Sequence, residues 1–185
     1  MEKVMWKHVK QFGFECCLLT SGDAELTAQG TIIYETTSPA QAHVVNYFIK
    51  FDEKWITRNV EICVDDYYKL ILSTDGEGNW FNVAGNSIQK LKGAIDIDIS
   101  NSPFSNSLPI NRLSWKLSDH NFIDVVYISL PTLEIKKIPQ SYKFLYQDGC
   151  LRYFHYQCGK RFEQTLSVDT NGLVFRYPKL FERLL

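Results

Sequence analysis

The sequence carries almost no net charge. Its 185 residues set 20 Lys and Arg against 21 Asp and Glu, leaving −1. There is no basic excess to grip phosphates, so no nucleic-acid partner is expected. Long apolar runs are also missing. Lys3, Lys7, His8 and Lys10 interrupt the N-terminal segment before it can form the apolar stretch of a secretory signal. Nothing approaches the roughly 20 apolar residues of a membrane-spanning helix. The expected compartment is the cytoplasm, and an odd count of five cysteines fits reduced thiols there. The chain lacks a nucleophile elbow, a phosphate-binding loop and an H-E-x-x-H zinc motif. Gly76-x-Gly78 has no third glycine of a dinucleotide fingerprint. Cys150 and Cys158 are too far apart for C-x-x-C, and the four histidines are scattered. No metal and no cofactor is expected.

What is present is short runs of β-branched and aromatic residues between turn residues. Val45, Tyr47, Ile49 and Phe51 share one parity, Asn46 and Lys50 the other. Period 2 sends the first set to a buried face. Ile56, Val60, Ile62 and Val64 repeat the pattern. Further strands are expected over 15–20, 26–35, 68–74, 80–83, 94–99, 122–130, 133–138, 142–146, 151–156, 161–168 and 173–177. The turns at 75–79, 147–149 and 169–172 pair Gly with Asp or Asn, which supplies the positive φ that tight hairpins need. With little helical periodicity, this predicts an all-β domain over 1–185, a sheet rolled on itself. Two segments break the pattern. Pro103 and Pro109 make 102–110 an ordered loop. The tail from Pro178 predicts a short C-terminal helix, with Leu180, Phe181, Leu184 and Leu185 on one face.

The polar residues leave alternatives open. Asp96 and Asp98 alternate with Ile95, Ile97 and Ile99, which puts both carboxylates on one strand face about 7 Å apart. They form either a site for a hydroxylated or cationic head group, an acid–base pair, or a solvent-facing edge. Arg58 shares the parity of Val60 and Ile62. It either pairs with Asp96 or Asp98 inside the sheet or is returned to solvent by a bulge near Thr57. Asn106, between Ser105 and Ser107, either rims a pocket or stiffens its turn. Arg112 either holds an anion or pairs at the surface. Four consecutive rings from Tyr153 to Tyr156 make a strand that is covered on both faces or lines a cavity.

Residues 94–113 read A-I-D-I-D-I-S-N-S-P-F-S-N-S-L-P-I-N-R-L. The stretch resembles the signature of the putative glycolipid-binding family of bacterial proteins: D-x-D, then T/S-P-F-[ST]-N-[ST]-L-P-I-x-R-L. Glu15, Cys17, W-x-T-R at 55–58, D-G-x-G-x-W at 75–80, Q-x-Y at 140–142 and Y-P-x-L-F at 177–181 agree with it, so the likeness spans nearly the whole chain. The resemblance implies a spiral β-roll, one strongly curved antiparallel sheet like a partly open barrel. It also implies an amphiphile, a glycolipid or fatty-acyl compound, held in an apolar roll with a polar rim. Arg58, Asp96, Asp98, Asn106, Arg112 and Tyr142 are then the candidate ligand-binding residues, with no catalytic residue among them. Two alternatives are a hydrolase acting through Asp96 and Asp98 and an interaction protein without a small ligand.

Overall fold

A computed structural model describes residues 1–22, 25–159 and 162–185. The chain first descends through seven strands: β1 (Glu2–His8), β2 (Gly13–Ser21), β3 (Glu25–Thr37), β4 (Ala40–Asp52), β5 (Thr57–Val64), β6 (Tyr68–Thr74) and β7 (Trp80–Asn82). It then crosses over to β8 (Asp96–Ile99) and a helical segment, in which a 3-10 turn (Pro103–Asn106) runs into α1 (Ser107–Arg112). It climbs back through β9 (His120–Ser129), β10 (Glu134–Asp148), β11 (Leu151–Cys158), β12 (Phe162–Val168), β13 (Val174–Tyr177) and β14 (Phe181–Arg183). All fourteen strands of the described residues form one sheet, with β7 at one edge and β8 at the other, and β1 beside β14 in the middle. Neighbours are antiparallel except β8, which runs parallel to β9.

The sheet curves but does not close. Its edges are drawn together by the crossover. Trp80 Nε1 donates to the Ala94 carbonyl at 2.7 Å, and Gly93 N–H donates to the Gly78 carbonyl at 2.8 Å. Gly78 sits at φ +89°, and a Cβ there would meet the Gly93 Cα at 2.8 Å. The turn therefore requires glycine at that point.

The alternation read from the sequence sets the faces. Val45, Tyr47, Ile49, Phe51, Val60, Ile62 and Val64 are all buried. The interior they line is filled by the chain itself: every residue from Ser102 to Ile110 is buried. The proline-bounded segment is thus helical and internal, a plug instead of a loop. Pro103 opens the 3-10 turn and Pro109 is the third residue of α1; both fall in a first helical turn, whose N–H groups lack an intrahelical partner anyway.

Other expectations need correction. The tail after Pro178 is a turn followed by β14, not a helix; β14 finds ladder partners on β1 and β13, which a terminal helix would have left open. The runs expected at 133–138 and 142–146 are one strand, β10, with Pro139 taken into it opposite Asp124. The strand expected at 161–168 is observed from Phe162; Arg161 lies outside the described residues. The wholly antiparallel expectation fails at β8, whose parallel pairing follows from its entry by crossover.

Candidate functional site

Arg58 does not reach the interior. The β4–β5 register shifts between Lys50 and Phe51, so that Phe51 faces Thr57 while Lys50 faces Asn59. Arg58 is the extra residue of a bulge, which turns its side chain outward. There its Nη2 donates to Asp52 Oδ2 at 2.7 Å, and its Nη1 donates to the Asp75 carbonyl. Pairing with Asp96 or Asp98 is excluded.

Both aspartates do lie on the inner face of β8, with separate partners. Asp96 is fully buried and is held by Arg112 of α1, through Nε at 3.0 Å and Nη2 at 2.6 Å. This is a planar two-point clamp. Burial raises the Asp96 carboxyl above its ordinary range, and the guanidinium offsets only part of that rise. Arg112 therefore neutralises an internal charge and fastens the end of the plug to β8.

Asp98 faces a cleft of ≈ 420 Å³, within the range of small-molecule sites. Its Oδ2 accepts from Gln140 Nε2 at 2.6 Å. Gln140 Oε1 accepts from the Tyr142 hydroxyl at 3.3 Å, and the Tyr142 oxygen accepts from Asn106 Nδ2 at 2.8 Å. The donors all point one way, from the plug through the buried phenol to the cleft carboxylate. Each bond polarises the next. Burial pushes the Asp98 carboxyl up to about 6, against the hydrogen bonds from Gln140 and Tyr156 that favour its charge. Of the expected residues, Asp98 and Asn106 line the cleft, Tyr142 supports them from behind, and Arg58, Asp96 and Arg112 are not on its wall.

The rest of the wall was not among the candidate residues. Tyr127, Tyr156, Phe162, Tyr177 and Phe181 surround the carboxylate, with Lys136 exposed at the rim. Tyr156 and Phe162 both meet Tyr177 edge-on, at centroid distances of 6.1 and 6.2 Å, and Phe181 stands 6.1 Å from Tyr177. Lys136 Nζ lies 5.3 Å above the Tyr127 ring. Two signals pointed here: the ring-rich strand containing Tyr156, and the Tyr177-to-Phe181 match. Neither said that β11, β13 and β8 meet.

A second buried carboxylate fixes the other end of the plug. Glu15 on β2 accepts from the Tyr47 hydroxyl at 2.7 Å, the Ser102 hydroxyl at 2.6 Å and the Phe104 N–H at 3.3 Å. Burial outweighs these bonds and raises its carboxyl to about 7. Among the described residues, no cluster of three or more His, Cys, Asp or Glu is placed to hold a metal ion, and no helix is long and apolar enough to cross a membrane.

The family model described as "Putative glycolipid-binding" matches residues 3–183. A crystal structure of a DUF1089 family protein from Pseudomonas aeruginosa is 30% identical, covering 93% of this chain and 92% of that one, with a TM-score of 0.82. No curated protein matches.

Proposed function

We propose that this chain, which belongs to the putative glycolipid-binding family, binds an amphiphile whose hydroxylated head group sits in the cleft over Asp98. The observation that carries this reading is the pairing of one half-buried carboxylate with five aromatic rings. Ring faces cover the C–H faces of a sugar, while a carboxylate, phenol hydroxyls and the Asn106 amide bond its hydroxyls. The roll interior is filled by the plug, so the tail of the amphiphile leaves the cleft along Phe162 and Leu180 rather than threading the roll. Asp98 is the one carboxylate on the cleft wall among the described residues. The alternative of two-carboxylate hydrolysis therefore lacks its second group, Asp96 being closed off by Arg112.

The test is calorimetric titration with octyl glucoside below its micelle-forming concentration, compared with octanol. The glucoside should bind and Asp98→Asn should weaken it about tenfold, while Arg58→Ala leaves it unchanged. The same Asp98→Asn change should raise the melting temperature above pH 6. A carboxyl raised from 3.8 to about 6 costs stability wherever it is ionised in the folded state, and the amide removes that cost. A gain in stability with a loss of binding is the signature of a functional group. Equal binding of octanol and glucoside, or full binding by Asp98→Asn, would sink the reading.

A further inference from the structure

We infer that the end of the roll carrying the cleft mouth docks on an anionic lipid surface, through the β1–β2 turn. The inference rests on the cleft taking an amphiphile and says where that amphiphile comes from.

The turn between β1 and β2 displays two apolar side chains to solvent, Val9 at 49% and Phe12 at 56% exposure. Among the described residues, neither packs on the core, and Phe12 meets only the half-exposed Phe14 edge-on, centroids 5.7 Å apart. Lys10 lies between them and is exposed. The turn is held in shape from within. His8 Nδ1 accepts the N–H groups of Lys10 at 3.1 Å and Gln11 at 3.2 Å, and the Gly13 that follows is buried. An apolar tip kept exposed by its own hydrogen bonds is not an unpacked remnant of the core.

The tip is continuous with the cleft. The His8 ring meets Phe181, a cleft residue, edge-on at 4.9 Å. Val9 N–H donates to the carbonyl of Leu180, another cleft residue, at 2.7 Å. Lys179, exposed and in the left-handed conformation at φ 66°, precedes Leu180 on the neighbouring turn. The mouth is thus flanked by one apolar tip, with its two exposed side chains, and by two exposed lysines that form no ion pair among the described residues. Apolar side chains of this kind enter the acyl boundary of a bilayer while lysines meet anionic head groups. A standard protein interface buries roughly 800 Å² on each side, more than the two side chains of this tip supply. A lipid lifted into the boundary at Val9 and Leu180 would face the aromatic wall directly.

The test is co-sedimentation of the full chain with vesicles. Wild type should sediment with mixed phosphatidylcholine–phosphatidylglycerol vesicles and less with phosphatidylcholine alone. Val9→Asp combined with Phe12→Asp should weaken vesicle binding about tenfold or more and leave octyl glucoside binding intact. Lys10→Glu combined with Lys179→Glu should abolish the preference for anionic vesicles. Wild type that ignores both vesicles, or a double Asp variant that binds as wild type does, overturns the inference. So does a dimer of wild type that the double Asp variant dissolves, because the tip would then cover a second copy. Failure of wild type to bind octyl glucoside, with vesicle docking intact, would instead overturn the cleft reading and leave the docking surface standing.

Discussion

Arg112 grips Asp96 with two nitrogens, and the pair joins the last turn of the internal helix to the edge strand of the sheet. Both side chains are withdrawn from water, Asp96 completely and Arg112 to 13% exposure. A buried pair of this kind contributes little beyond what its desolvation costs, but breaking it strands a charge. Arg112→Met should therefore cost about 3–5 kcal/mol. Joining it with Asp96→Asn should cost clearly less than the two single changes summed. Arg58→Ala should cost about 1 kcal/mol or less, because its ion pair with Asp52 lies outside the core and is partly exposed to water. A double-mutant cycle on thermal melts reads all three, and additivity of Arg112 with Asp96 would refute the clamp.

Glu15 makes stability depend on pH in a direction opposite to a salt-bridged acid. Its carboxyl is raised from 4.5 to about 7 in the folded chain. Between those values the folded state holds a proton that the unfolded state has released. Stability therefore falls as pH rises through that window, by on the order of 3 kcal/mol in total. Below pH 4.5 both states are protonated and the term vanishes from the slope. Asp98 adds a fall of the same sign between 3.8 and about 6. Urea unfolding at pH 5, 6 and 7 should show the decline in wild type and a flatter profile in Glu15→Gln. Parallel profiles for the two proteins would contradict the assignment.

Gly30 should tolerate no side chain. It lies opposite Tyr47 in the β3–β4 ladder, and a Cβ there would overlap the Tyr47 ring and hydroxyl. The ring crosses the bare backbone of Gly30 to reach Glu15 on β2. Gly30→Ala should displace Tyr47, break its bond to Glu15 and cost about 2–4 kcal/mol. The added Tyr47→Phe change should then cost little more, since the bond is already lost. Melting temperatures of the two variants decide this.

Much of the sheet was legible in the sequence because strand faces follow from a two-residue period that needs no partner. Val45, Tyr47, Ile49 and Phe51 landed on the buried face as read, and the turns at 75–79 and 169–172 fell between strands, while Gln147 and Asp148 were drawn into β10. For Arg58 parity alone pointed inward, and the alternative of a bulge near Thr57 is the one observed: parity holds only while the ladder is regular, and a bulge of one residue reverses every side chain before it. The tail failed for a related reason: four apolar residues after Pro178 fit a helix or a strand, and only the free edges of β1 and β13 chose. The two aspartates mark the limit most sharply. They are two residues apart on one face of β8, and nothing local distinguishes them. One became a closed ion pair and the other a cleft wall because α1 delivers Arg112 to the first, while β10, β11 and β13 bring Gln140 and the tyrosines to the second. The sequence by itself determined that this chain makes curved β-sheet, with two carboxylates on one face of a strand beside a proline-bounded segment. Which carboxylate meets a cation, and which is left facing solvent-accessible space, is a contact between residues far apart in the chain, so only the closing of the roll around its plug decided it.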